Sequence, residues 1–301
     1  MLTTTPSLEF RTPTLDDAAL VAPILQKSGY PACEFSFTTI FMWRNYYDNQ
    51  IAVSGGQVFI RSGEQEPVYL LPAGGDLREG IELLRAYAGS KGEPLQLFGA
   101  DEAQRERIER WFPGLFLWEP SINDFDYLYN ADDLAELAGR KYHGKRNHIA
   151  AFESSYDWTY EPIDDHNAAE VDDMVREWCR ERGNCSDPGL KNERCAVSEA
   201  MRNRQALSLR GGLLRVEGKV VAMTFGSPIN ADVFDVHVEK ALPAYNGAYA
   251  MINNQFVKRE IQGCWKLVNR ENDLGIEGLR RAKKSYHPAR VLEKYLAIEN
   301  R

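Results

Sequence analysis

None of the five cysteines, Cys33, Cys179, Cys185, Cys195 and Cys264, forms a CxxC pair. An odd set without paired spacing suits neither a disulfide framework nor a zinc site, so these thiols are read as buried or idle and no metal is expected. No His–Cys pairing can be read that would make one of them a nucleophile. The chain also lacks an apolar run near the ~18 residues that a membrane span requires. Its opening, MLTTTPSLEFRTPT, has no basic segment leading into an apolar one. The expected location is therefore the cytoplasm. An excess of basic charge is missing as well: the net charge of −8 argues against broad non-specific nucleic-acid binding, because counterion release needs a basic face.

What is present is ordinary globular composition, 44% hydrophobic and 27% charged, in 301 residues, enough for two cores of about 150 residues each. The most polar framed segment is KLVNRENDLGIEGLRRAKKSYHPAR, from Lys266 to Arg290. A short apolar strand there runs into a Gly-punctuated turn and then a helix. Side chains leaving a strand end and entering a helix's first turn converge, and the unpaired N–H groups of that turn attract anions. Asn269, Glu271, Asn272 and Asp273 occupy the turn, where Asp273 and Glu271 could equally serve as caps. Basic residues concentrate after it (Arg280, Arg281, Lys283, Lys284, Arg290, Lys294) and again at Arg140, Lys141, Lys145 and Arg146. Solvated faces often carry such runs. Two of them in an acidic chain nevertheless mark a candidate phosphate-binding surface, and the aromatic residues mixed into the second, Tyr142 with His143 and His148, suit RNA contact.

The order of elements repeats. Leu8–Gly29 reads as strand, acidic turn and amphipathic helix, and Trp158–Gly183 reads the same way. Each is followed by a second helix (EFSFTTIFMWRNYY and LKNERCAVSEAMRNRQ) and by a hairpin with a Gly-containing turn (Asn49–Gly63 and Arg210–Gly226). Strand, helix, strand and helix follow in both halves, and a last strand (LFLWEPSI and RVLEKYLAI) closes each. The spacing predicts β-α-α-β-β-β-α-β-α-β twice. Expected boundaries are residues 1–130, a helical linker over 131–156, and residues 157–301.

That order resembles the GNAT acyltransferase order. Two such modules in one chain are similar to Fem-type aminoacyl transferases and to the soluble family related to the C-terminal region of lysylphosphatidylglycerol synthetases. The resemblance is carried by CEFSFTTIFMWR, KYHGKRNHIAAF, YNGAYAMINNQF and VNRENDLGIEGLRRAKKSYHP. It implies a mixed α+β fold of two tandem GNAT-like domains, each a mostly antiparallel mixed sheet flanked by helices. It also implies a site where two neighbouring parallel strands splay apart and an extended substrate pairs with the freed edge. Acetyl-CoA users carry [RQ]xxGx[GA] after the fourth strand to hold a pyrophosphate. AYNGAY stands here instead, with Ala244 and Tyr249 at the altered positions and only Gly247 kept. Gly74 and Gly75 are the first half's nearest counterpart.

The resemblance thus places the working site in the second half. His237 and Glu239, two apart on one strand, are candidate bases, His237 having the better unperturbed pKa of ~6.5. Tyr286 is the candidate acid. Donor or substrate contacts are expected from Asn246, Gly247, Asn254, Asn269, Glu271, Arg280, Lys283 and Lys284, and nucleic-acid or phosphate contacts from Lys141, Lys145 and Arg146. Implied activity is transfer of an acyl group, aminoacyl first, from a carrier such as aminoacyl-tRNA to an amine or hydroxyl acceptor on a small molecule, peptide or lipid headgroup. A CoA-dependent N-acyltransferase and a non-catalytic binding protein are the alternatives. No resident cofactor is assigned beyond an aminoacyl-tRNA or acyl-CoA donor.

Overall fold

The computed structural model describes residues 8–181 and 187–300, which leaves Cys185 outside the described residues. In chain order the first helices are α1 (Ala18–Ser28), α2 (Phe37–Met42) and α3 (Arg44–Tyr47), followed by strands β1 (Gln50–Ser54), β2 (Gln57–Ser62) and β3 (Val68–Leu70). Next come α4 (Leu77–Ser90), β4 (Gln96–Ala100), α5 (Glu102–Trp111), β5 (Phe116–Pro120), β6 (Asp126–Asn130), α6 (Ala131–Glu136) and α7 (His143–Ser155). The second run holds β7 (Trp158–Pro162), α8 (Ala168–Glu181), α9 (Pro188–Arg202), β8 (Arg210–Val216), β9 (Lys219–Pro228) and β10 (Val233–Ala241). It ends with α10 (Ala248–Phe256), β11 (Leu267–Asn269), α11 (Glu277–Lys284), β12 (Arg290–Leu292) and β13 (Tyr295–Glu299). Among the described residues no helix is long and apolar enough to cross a membrane.

Two compact units result. The first comprises residues 1–126, 272–276 and 291–301; the second comprises 127–271 and 277–290. In the first, the strand order is β1-β2-β3-β4-β13-β5, parallel only between β3 and β4. α4 begins where Asp76 accepts a hydrogen bond from the Glu79 amide, and it buries Ile81, Leu84 and Ala88 at helical spacing. In the second, β6-β11-β10-β9-β8-β7 run side by side, parallel only between β10 and β11. Its core is built on Phe234, Val236, Phe256, Val268 and Tyr129, with a second cluster of Phe152, Leu214, Met251 and Ile252.

Three expectations are corrected. The strand expected at the start of the first half is only an isolated bridge, Arg11 with Ile51, while its counterpart β7 is a full strand. Each half was expected to be closed by its own last strand. Instead β13 lies between β4 and β5 in the first unit, and β6 pairs with β11 in the second. Pairing partners so far apart leave no trace in local periodicity. The segment 131–156, expected as a linker, belongs to the second unit, where α7 buries Phe152 against α10.

Candidate active site

Strands β10 and β11 pair only where Val233–Asp235 meets Leu267–Asn269. Beyond Asp235, β10 continues along β9 to Ala241, whereas β11 ends and Glu271 turns into left-handed backbone at φ 56°. A bulge sits at the parting point: β9 pairs Gly226 with Val236 and Phe225 with Val238, so His237 is the extra residue. Gly226 is required there, since a Cβ would lie 1.9 Å from the Asp235 carbonyl oxygen.

The bulge breaks the alternation that would put His237 and Glu239 on one face, and they enter different clusters. His237 is buried, with Nε2 2.8 Å from Ser227 Oγ and Nδ1 3.3 Å from both Asp235 Oδ2 and Glu271 Oε1. Burial is the largest single influence and pulls its pKa down, but the Asp235 and Glu271 carboxylates together outweigh it and raise it to about 9. That shift favours the imidazolium, with the ring nitrogens facing Ser227, Asp235 and Glu271, and it corrects the ordinary pKa expected for His237. Asn269 supports the same turn from complete burial, its Oδ1 accepting from the Glu271 amide at 2.7 Å.

A pKa raised on folding has a signed consequence. The unfolded ring titrates near ~6.5, so the stabilisation is complete below that pH and is lost as pH rises through about 9. His237→Gln should remove up to about 3 kcal/mol at pH 6 and much less at pH 10, read from urea midpoints. An equal deficit at both values would refute the assignment.

The second cluster surrounds Glu239. Its Oε1 accepts from Arg270 Nη2 at 2.8 Å and its Oε2 from Asn253 Nδ2 at 2.9 Å. The Arg270 guanidinium lies 4.7 Å from the Tyr286 ring centroid and 5.7 Å from that of Tyr129. Lys145 Nζ stands 3.7 Å from the Tyr286 centroid. Desolvation first, then the Arg270 charge, lowers the Lys145 pKa to about 8 against the opposing pull of Glu239. Burial of Tyr286, reinforced by Glu239 and opposed by Arg270, holds its phenol well above the usual range, so it stays protonated and can donate. Lys283 fixes the turn by donating from Nζ to the Arg270 carbonyl, and its own carbonyl accepts from Tyr129 Oη at 2.7 Å.

Of the residues singled out from sequence, Glu239, Tyr286 and Lys145 meet here, with Lys283 supporting and Glu271 on the neighbouring His237 cluster. The rest lie elsewhere. Asn254 spends its amide on the Leu134 and Ala135 carbonyls at 3.0 and 2.7 Å. Gly247, at φ 87°, allows close approach to α7, because a Cβ there would sit 2.3 Å from the His148 carbonyl oxygen. Asn246 is exposed, Arg280 half-buried and Lys284 exposed. Lys141 pairs with Asp133 at 3.3 Å, and Arg146 donates to the Leu137 and Gly139 carbonyls. Both Lys141 and Arg146 are exposed. Asp273 accepts from the Gly275 amide at 2.9 Å within its own turn. Sequence reasoning passed over Arg270, Asn253 and Asp235. The signal for Arg270 was its place beside Glu271 at the strand end; for Asn253, the run of three amides Asn253, Asn254 and Gln255.

The chain thus holds two mixed sheets, the second with parted strands and a polar cluster built on the longer of them. The chain belongs to the family described as phosphatidylglycerol lysyltransferase, C-terminal, whose model matches residues 26–298. Among solved structures, it is similar to a conserved protein of unknown function from Bacteroides thetaiotaomicron VPI-5482, at 39% identity and a TM-score of 0.93 over 97% of this chain and 100% of that one. L-PGS from Bacillus licheniformis shares the fold at 14% identity and a TM-score of 0.70, over 97% and 94% of the two chains. FemX does so at 7% identity and a TM-score of 0.63, over 97% of each. Comparison with curated proteins finds no match.

Proposed function

We propose that the second unit transfers an aminoacyl group from a carrier such as aminoacyl-tRNA to an amine or hydroxyl acceptor. The observation that carries this reading is the Lys145–Tyr286–Arg270–Glu239 cluster beside the parted strands. Acyl transfer needs a proton taken from the nucleophile, charge stabilised on the carbonyl oxygen, and a proton given to the leaving group. With a pKa of about 8, Lys145 is in part a free amine near neutrality and takes the acceptor's proton. Arg270 supplies positive charge to the oxyanion. Tyr286 donates to the departing ribose oxygen as the new bond to the acyl carbon forms and the ester bond breaks.

Packing disfavours a CoA donor. The loop where acetyl-CoA users cradle pyrophosphate abuts α7, with Gly247 against the His148 carbonyl and Tyr245 ring-to-ring with Tyr156 at 5.4 Å. The test offers the protein tRNA charged with labelled amino acids, together with phosphatidylglycerol vesicles or an amine-bearing peptide, and acetyl-CoA in parallel. Label leaving the tRNA for an acceptor supports the reading. Turnover with acetyl-CoA alone, or none with any donor, sinks it.

A further inference from the structure

Three metal-ligating side chains, Asp235, His237 and Glu271, meet where β10 and β11 part. Their donor atoms, two carboxylate oxygens and a ring nitrogen, all lie within 4.8 Å of one another. His237 Nδ1 stands 3.3 Å from Asp235 Oδ2 and 3.3 Å from Glu271 Oε1. A close charge-assisted hydrogen bond spans about 2.7–2.9 Å, and a single N–H shared between two oxygens at longer range serves neither well. Donors bound to a tetrahedral zinc at about 2.0–2.1 Å, by contrast, stand about 3.3–3.4 Å apart.

Charge points the same way. An imidazolium cancels one of the two carboxylate charges, whereas a divalent ion held by the neutral ring cancels both, and Asp235 is fully buried. The supports that ligands need are also in place. Nε2 lies 2.8 Å from Ser227 Oγ, which fixes the ring with Nδ1 turned to the carboxylates. Asn269 Oδ1 holds the Glu271 amide at 2.7 Å. The Glu271 side chain is 24% exposed, so an ion and a water ligand have a way in from that side.

We propose that Asp235 Oδ2, His237 Nδ1 and Glu271 Oε1 form a zinc site with water as the fourth ligand. The ion displaces the Nδ1 proton to solvent as it binds. It ties the bulge of β10 to the turn after β11, and Arg270 stands in that turn immediately before a ligand. Its work is to clamp the turn, so the proposal is independent of the acyl-transfer reading. No cysteine takes part, which is why cysteine spacing carries no sign of the site.

The test strips the full chain with EDTA, dialyses it, and titrates it with zinc in competition with a chromophoric chelator. One equivalent should bind and raise the melting temperature, and EDTA should reverse the rise. Asp235→Asn and Glu271→Gln should each weaken that binding by about tenfold or more. Glu271 is the milder site for substitution because it is partly exposed, and the melting temperature of each metal-free variant checks its fold. Cobalt(II) in place of zinc should give the visible bands of a four-coordinate nitrogen and oxygen site. It should lack the thiolate charge-transfer absorption that the exposed Cys195 or Cys264 would produce, and this spectrum of the parent decides the matter even if a variant unfolds. Absence of zinc binding overturns the proposal. So does thiolate absorption, or binding that folded variants keep, either of which puts the ion on surface thiols or histidines.

Discussion

Replacing Lys294 by methionine should cost about 3–5 kcal/mol of stability, the toll of leaving buried carboxylates without their counter-ion. Lys294 is wholly buried in the first unit, with Nζ 2.6 Å from Glu34 Oε1, 2.9 Å from Asp126 Oδ1 and 3.9 Å from Cys33 Sγ. Asp126 also accepts from the Cys33 amide at 2.9 Å, so the group ties together the ends of three segments. Burial already raises the Glu34 pKa, with Lys294 opposing it. Without the ammonium, nothing opposes the rise that burial imposes on Glu34. Its folded pKa then lies further above the unfolded one, so the stability remaining to the variant is greatest in acid and is lost as pH rises through that value. Chemical denaturation at pH 5 and pH 8 should give a larger deficit at pH 8. The triple variant Lys294→Met, Glu34→Gln, Asp126→Asn should recover much of the loss, since a buried ion cluster contributes little over a neutral replacement. A single variant melting within about 2 °C of the parent would show that the cluster is not coupled as its geometry indicates.

Catalysis should suffer most from Lys145→Met and Tyr286→Phe. Each removes a proton-transfer group from the cluster, and each should lower kcat by about 10²- to 10⁴-fold in the labelled-tRNA assay. The two losses differ in their pH dependence. The parent's rate should rise with pH as Lys145 deprotonates around pH 8, and that limb should vanish in Lys145→Met but persist in Tyr286→Phe. Tyr286→Phe retains the ring under Lys145 and Arg270, so its loss reports the hydroxyl. Full turnover by either variant would remove that side chain from the mechanism.

Much of the element order was legible because helices such as α4 and strands such as β9 and β10 carry their burial in periodic residues. Turn chemistry placed the hairpins at Gly55–Gly56 and at Gly218, where φ is positive. What could not be read is tertiary. Asn254 was singled out, but one step around α10 places Asn253, not Asn254, on Glu239. Of the two carboxylates beside His237, Asp235 stands two residues before it, but Glu271 arrives from 34 positions away. Lys283 and Arg280 were grouped by helical spacing, yet only Lys283 is buried and turned toward the Arg270 carbonyl.

The placement of β13 between β4 and β5 also sets a timetable for synthesis. Strand β4 is complete at Ala100, but its neighbour begins at Tyr295. At roughly 5–20 residues per second, a ribosome needs on the order of ten seconds or more to cover that interval. Throughout it, β4 and β5 each present a bare edge of the kind that pairs with strangers. The first half must therefore be held apart from other nascent chains, by a chaperone or by its own transient packing, until residue 299 has left the exit tunnel.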